Sequence, residues 1–110
     1  MRILLVFEEE HTTHMDAVRL AVQGYRQNVE VLTTKPATIE EEIERLDPDV
    51  IVSEETVSHD LDSYRPSSWA KLSIDPDQPS TFRVGKRRWE TLNPGLKELR
   101  AFVDEAEKLL

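Results

Sequence analysis

The sequence predicts an α/β fold built on a parallel sheet, and three observations carry that expectation. Segments 2–7, 29–33 and 50–53 are short and largely apolar. They lack polar alternation, so they read as strands buried on both faces. The intervals between them place apolar residues at helical spacing behind capping residues. The connections are a few residues long, so the order is β-α-β-α-β, which a helix-covered parallel sheet accommodates.

Segment 2–7 stops abruptly at Glu8, and Thr12 or Thr13 can cap the helix that follows. Val18, Ala21, Val22 and Tyr25 share one face of it, Arg19, Gln23 and Arg26 the other, and Gly24 and Asn28 bracket its end. The second strand is broken by Lys35-Pro36. Thr38-Ile39-Glu40-Glu41 then has the form of a capping box, with Glu40 to Glu42 where the helix dipole favours negative charge. Ile39, Ile43 and Leu46 line one face, and Asp47-Pro48 ends the helix before the third strand. The expected strand order is 2-1-3.

Residues 54–68 show no usable period and read as a long loop. Segment 69–74 is a candidate fourth strand, with Ala70, Leu72 and Ile74 on one face. A turn at 75–79 leads to a hairpin around Gly85-Lys86, carrying Phe82, Val84 and Trp89. Asn93 as cap and Pro94 at the first helical position open a terminal helix marked by Leu96, Leu99, Phe102, Val103, Ala106 and Leu109. The expected core holds Ile3, Leu5, Val18, Val22, Val31, Ile43, Ile51, Leu99, Phe102 and Val103, in one domain over 1–110.

Composition narrows the function. Against 14 Lys+Arg stand 22 Asp+Glu, a formal net charge of −8. An acidic surface repels the phosphate backbone, so nucleic acid is not an expected partner. The absence of cysteine excludes disulfides, thiolate nucleophiles and sulfur-ligated metals. Gly24, Gly85 and Gly95 are too scattered for a phosphate-cradling loop. No apolar run reaches membrane-spanning length and no signal peptide precedes the first strand, so a cytoplasmic location is expected.

Two acidic clusters follow strands: Glu8-Glu9-Glu10 after the first and Glu54-Glu55 after the third. In open parallel sheets these strands are commonly neighbours, and the crevice beyond their carboxyl ends binds ligands. Converging carboxylates there would hold a hard cation or raise one another's pKa. Glu54→Gln would then stabilise the protein. The same glutamates read equally as solvated loop ends.

His11 and His14, with His59 and Asp60 further on, could share a metal with neighbouring carboxylates, or sit solvated at a helix entrance. Arg83, Lys86, Arg87 and Arg88, flanked by Phe82 and Trp89, form a basic cluster suited to an acidic partner, or to discouraging edge-to-edge sheet pairing. Alternation puts Arg87 and Trp89 on one face of the hairpin and Arg88 on the other. The serines at 53, 58, 63, 67 and 68 lack a nucleophile-elbow context.

The run Met1-Arg-Ile-Leu-Leu-Val-Phe-Glu-Glu-Glu10, together with Leu46-Asp-Pro-Asp-Val-Ile-Val-Ser-Glu54, resembles the first half of response-regulator receiver domains. The resemblance covers residues 1–54. It places Glu8, with Glu9 beside it, on the family's magnesium-binding acidic pair and Glu54 on its phosphorylated aspartate. It implies a flavodoxin-like, doubly wound sheet, truncated here and completed by the C-terminal hairpin and terminal helix. The departures are specific. Glutamate at the acceptor position is one methylene too long, with its charge where the phosphoryl group would lie. Ser73 is the best match to the family's hydroxyl residue after strand four, and Lys86, in the predicted turn, is a poor match to its lysine.

The resemblance therefore implies a non-catalytic signalling or interaction module that has lost phosphotransfer. It needs no cofactor, with magnesium as the cation if one binds, and a protein or a second copy of the chain is its expected partner. The alternative is a divalent-metal-dependent enzyme, or a small-ligand-binding protein, that uses the acidic crevice.

Overall fold

The computed structural model describes residues 1–110 except 27, 55–59, 65 and 67. The described residues form one six-stranded sheet in the order β2-β1-β3-β4-β5-β6. Its strands are β1 (Arg2–Val6), β2 (Glu30–Thr34), β3 (Val50–Glu54), β4 (Ser68–Leu72), β5 (Pro79–Val84) and β6 (Arg87–Leu92). The first four are parallel, and β5 and β6 are antiparallel additions. The expected order 2-1-3 is present, and β1 is flanked by Ile3↔Val31 on one side and Ile3↔Val50 on the other.

Among the described residues three α-helices cover the sheet: α1 (Thr12–Tyr25), α2 (Ile39–Leu46) and α3 (Leu96–Glu107). Strand alternation divides the core between the two faces. Ile3, Leu5, Val50, Val52, Ala70 and Phe82 face α1 and α3, packed with Val18, Val22, Leu99 and Phe102. Leu4, Val6, Ile51 and Trp69 face the other way, onto Ile39 of α2 and Leu61. Eight of the ten expected core residues are buried. Val31 and Ile43 are half-buried and pack against the edges of the two clusters. At the far ends of α1 and α3, Tyr25 Oη donates to Asp104 at 2.7 Å and Arg26 to Glu107 at 2.9 Å.

Several local expectations are corrected. Neither Thr13 nor Thr38 caps a helix with its side chain. The first position before α1 is His11, and the Thr38 hydroxyl pairs with Thr34 instead, at 2.7 Å. The second helix does end at Asp47 as expected, in the left-handed region (φ 47°), with its N–H donating to Ile43 O at 2.9 Å. The fourth strand starts at Ser68 and ends at Leu72, which leaves Ile74 43% exposed beyond it, outside the expected core face.

Pro79 belongs to β5 rather than to the preceding turn. Asn93 takes φ 46° and does not cap α3. The cap is Gly95, whose N–H donates to Glu98 Oε2 at 2.9 Å, two residues later than Pro94 suggested. The hairpin turn is at Gly85-Lys86, with Gly85 at φ 61° in the first central position, as type II′ turns require.

Candidate functional site

The chain leaving β1 and the last residue of β3 meet at the carboxyl edge of the sheet. The register Val6↔Ser53 sets them side by side. Val50, Val52 and Glu54 alternate onto the same face, so Glu54 points toward α1. There the carboxylate is fully buried. The main-chain N–H of Glu8 donates to its Oε1 at 3.0 Å.

The next residues, Glu9–His11, form one 3₁₀ turn closed by His11 N–H to Glu8 O at 3.0 Å. This turn brings His11 Nδ1 to 2.6 Å from Glu54 Oε2. Both carboxylate oxygens are therefore engaged. The pairing meets the requirement that a buried polar group be hydrogen-bonded. Ser53, next to it, is buried with its hydroxyl directed to Glu54 O at 3.1 Å.

His14, one turn further along α1, is part-buried and meets the Phe7 ring edge-on at 5.4 Å between centroids. Burial pushes its pKa below the ordinary 6.5; the charge of Glu54 partly offsets this and His11 adds to it. The two histidines thus differ in role: His11 is bound to the carboxylate, and His14 packs edge-on against Phe7 with its pKa lowered chiefly by burial.

Of the three carboxylates expected to converge, Glu54 lies at the centre and Glu8 reaches it through its backbone. Glu9 turns away into an ion pair with Lys35. The expected upward pKa shift is absent there: the hydrogen bond and charge of Lys35 hold the Glu9 carboxyl below its usual range. Among the described residues no three His, Asp or Glu side chains are grouped to hold a metal ion. A magnesium ion needs several oxygen ligands in near-octahedral array. With Glu54 bound to His11 and Glu9 to Lys35, the described residues do not assemble such a set.

The basic cluster is brought together differently from the sequence expectation. Arg83 and Arg88 both bind Asp62, the latter at 2.5 Å, and Trp69 Nε1 donates to the same carboxylate at 2.9 Å. Burial opposes ionisation of Asp62, but the hydrogen bonds from Arg88, Trp69 and Arg83 prevail and lower its pKa. Arg87 lies over Trp89 and pairs with Glu105 at 3.2 Å, while Arg88 lies over Trp69 on the opposite face, as alternation predicted. Lys86 is exposed at the turn.

Asp62 was not singled out by sequence, since it lies in a loop with no period. Its one local signal is Asp60, which caps the turn Leu61–Ser63 by accepting from Asp62 N–H at 3.1 Å. Ser73 directly follows β4, with its hydroxyl held at 2.9 Å from Asp75 O. Glu55, Ser58, His59 and Ser67 lie outside the described residues.

No protein-family model, no curated protein and no solved structure matches the chain. Among the described residues, no helix is long and apolar enough to cross a membrane.

Proposed function

We propose that this chain is a receiver-like, flavodoxin-like interaction module that acts through protein contacts, without catalysis or phosphotransfer. The observation that carries this reading is the state of Glu54. At the position that the resemblance equates with the phosphoacceptor, the carboxylate is fully buried, and its two oxygens are engaged by Glu8 N–H and His11. A phosphoryl group must approach an acceptor oxygen in line, with its charge neutralised by a metal. Here a histidine occupies the approach, and among the described residues no donor set for the metal is assembled. Incubation with magnesium and acetyl phosphate, followed by intact-mass measurement, is expected to return unmodified protein. A stoichiometric phosphoryl adduct on Glu54 overturns the reading.

The partner this reading favours is a second copy of the chain, paired along β6. This strand is an edge of the sheet. Because Val84↔Arg87 flanks a two-residue turn, Arg88, Glu90 and Leu92 direct their main-chain groups outward. An antiparallel copy centred on Trp89 sets each Arg88 opposite the other's Glu90, whereas the next register opposes Glu90 to itself. Light scattering on the eluting protein tests it: a dimer that Glu90→Arg converts to monomer supports the pairing, and a wild-type monomer at millimolar concentration refutes it.

A further inference from the structure

The geometry points to a second site, a binding cavity between α1 and α3 for an uncharged, mainly apolar small molecule carrying a carbonyl or hydroxyl oxygen. This assignment stands whether or not Glu54 accepts a phosphoryl group. The cavity has a volume of about 510 Å³ and lies over the carboxyl end of β4. That is within the range of small-molecule pockets.

Its origin is legible in the chain. Ala17 and Ala21 put small side chains on the face of α1 where larger ones would close the gap, and Pro94-Gly95 delays the start of α3. Val18, Leu72, Phe82 and Leu99 form the larger, apolar part of the lining, and His14, Ser73, Ser80 and Asn93 the polar part.

Two polar groups in this lining have hydrogen-bonding capacity left over. Ser80 is fully buried, and its Oγ accepts from Ser73 N–H at 2.9 Å. No acceptor for its own hydroxyl proton is present among the described residues. His14 also lines the cavity, and its Nδ1 is buried without a hydrogen-bond partner. Polar groups of this kind are disfavoured in an apolar interior unless something pairs with them.

The chemistry of the ligand follows. Among the described residues no carboxylate, lysine or arginine lines the cavity, so a charged ligand would lose its hydration without gaining a counter-ion. Burial keeps the His14 ring neutral near pH 7, which removes the remaining candidate cation. The Ser80 hydroxyl can donate to an oxygen, and the apolar walls take a ring or a branched hydrocarbon.

The uncharged aromatic ketone Prodan has this chemistry, and its emission shifts to the blue in apolar surroundings. Titrated into the protein, it is expected to bind saturably and one-to-one. Ser80→Ala weakens binding by about tenfold, the size expected for one buried hydrogen bond. Ala21→Phe, which fills the cavity, removes binding. Leu20→Ala, on the exposed side of α1, leaves it unchanged. Circular dichroism establishes that each variant is folded, and Ser80→Ala carries the test if Ala21→Phe is not. Absence of saturable binding at millimolar probe, or binding indifferent to the cavity substitutions, overturns the assignment.

Discussion

His11 Nδ1 lies 2.6 Å from Glu54 Oε2, joining residues 43 apart in sequence across the carboxyl edge of the sheet. The carboxylate is fully buried and the imidazole 24% exposed, so the histidine is also the carboxylate's cover. Removing the histidine takes its hydrogen bond from a buried carboxylate oxygen. His11→Ala is expected to destabilise the protein by about 3 kcal/mol, in the range for breaking a buried pair. The same substitution in a Glu54→Gln background costs less, because a neutral amide loses less than a carboxylate when that hydrogen bond is removed. Urea unfolding of the four proteins measures the coupling; additive effects would show that the contact contributes no stability.

Acidification acts through His14. Burial lowers its folded-state pKa below 6.5. The unfolded chain therefore binds a proton near pH 6.5 that the folded protein binds only at lower pH. The stability associated with the neutral ring is present above 6.5 and is lost as pH falls from there toward the folded value. His14→Phe retains an aromatic ring beside Phe7 and lacks the proton site. Its stability should decline less than that of the wild type between about pH 7.5 and about pH 5.5. Equal declines would contradict the assignment.

Asp62 holds the hairpin to the loop before β4. Replacing it with alanine releases Arg83 and Arg88 and leaves the Trp69 indole N–H without its acceptor. Because the carboxylate is part-exposed and screened, the expected loss is about 1 kcal/mol. Urea unfolding followed by tryptophan fluorescence checks it. No loss would place Asp62 among the many surface acids without measurable effect.

Ile51 tests the sheet assignment. It is fully buried in the middle of β3, between Leu4 of β1 and Trp69 of β4. Ile51→Asp buries an unpaired charge there and is expected to abolish cooperative unfolding. Wild-type melting behaviour in that variant would mean that the third strand lies elsewhere.

The parts of the fold legible in sequence are those fixed by local pattern. Apolar runs such as Ile3–Phe7 can be satisfied only between two helical layers, and Gly85 supplies the positive φ that a tight hairpin needs. Capping was less legible, because several residues compete for each helix start. Asn93-Pro94 has the form of a start, but Asn93 adopts a left-handed conformation and Glu98 selects Gly95.

The site was legible in location and not in bonding. Strand order and alternation bring Glu54 to the edge where Glu8 leaves β1. Nothing local indicates that a 3₁₀ turn would deliver His11 onto Glu54, or that Lys35 would draw Glu9 away. Three acids in a row suggest mutual repulsion, but Glu9 is drawn into an ion pair with Lys35, 26 residues further along the chain.

The sign of the stability change in Glu54→Gln tests the closed carboxylate most directly. Glutamine keeps the volume and one acceptor oxygen for Glu8 N–H, and loses the charge that faces His11. Denaturant unfolding at neutral pH should show the variant less stable than the wild type by about 1–2 kcal/mol. Magnesium should change neither protein. A variant more stable than the wild type, or a wild type stabilised by magnesium, would mean that Glu54 lies in an open, self-repelling acidic crevice, and would contradict a carboxylate closed by His11.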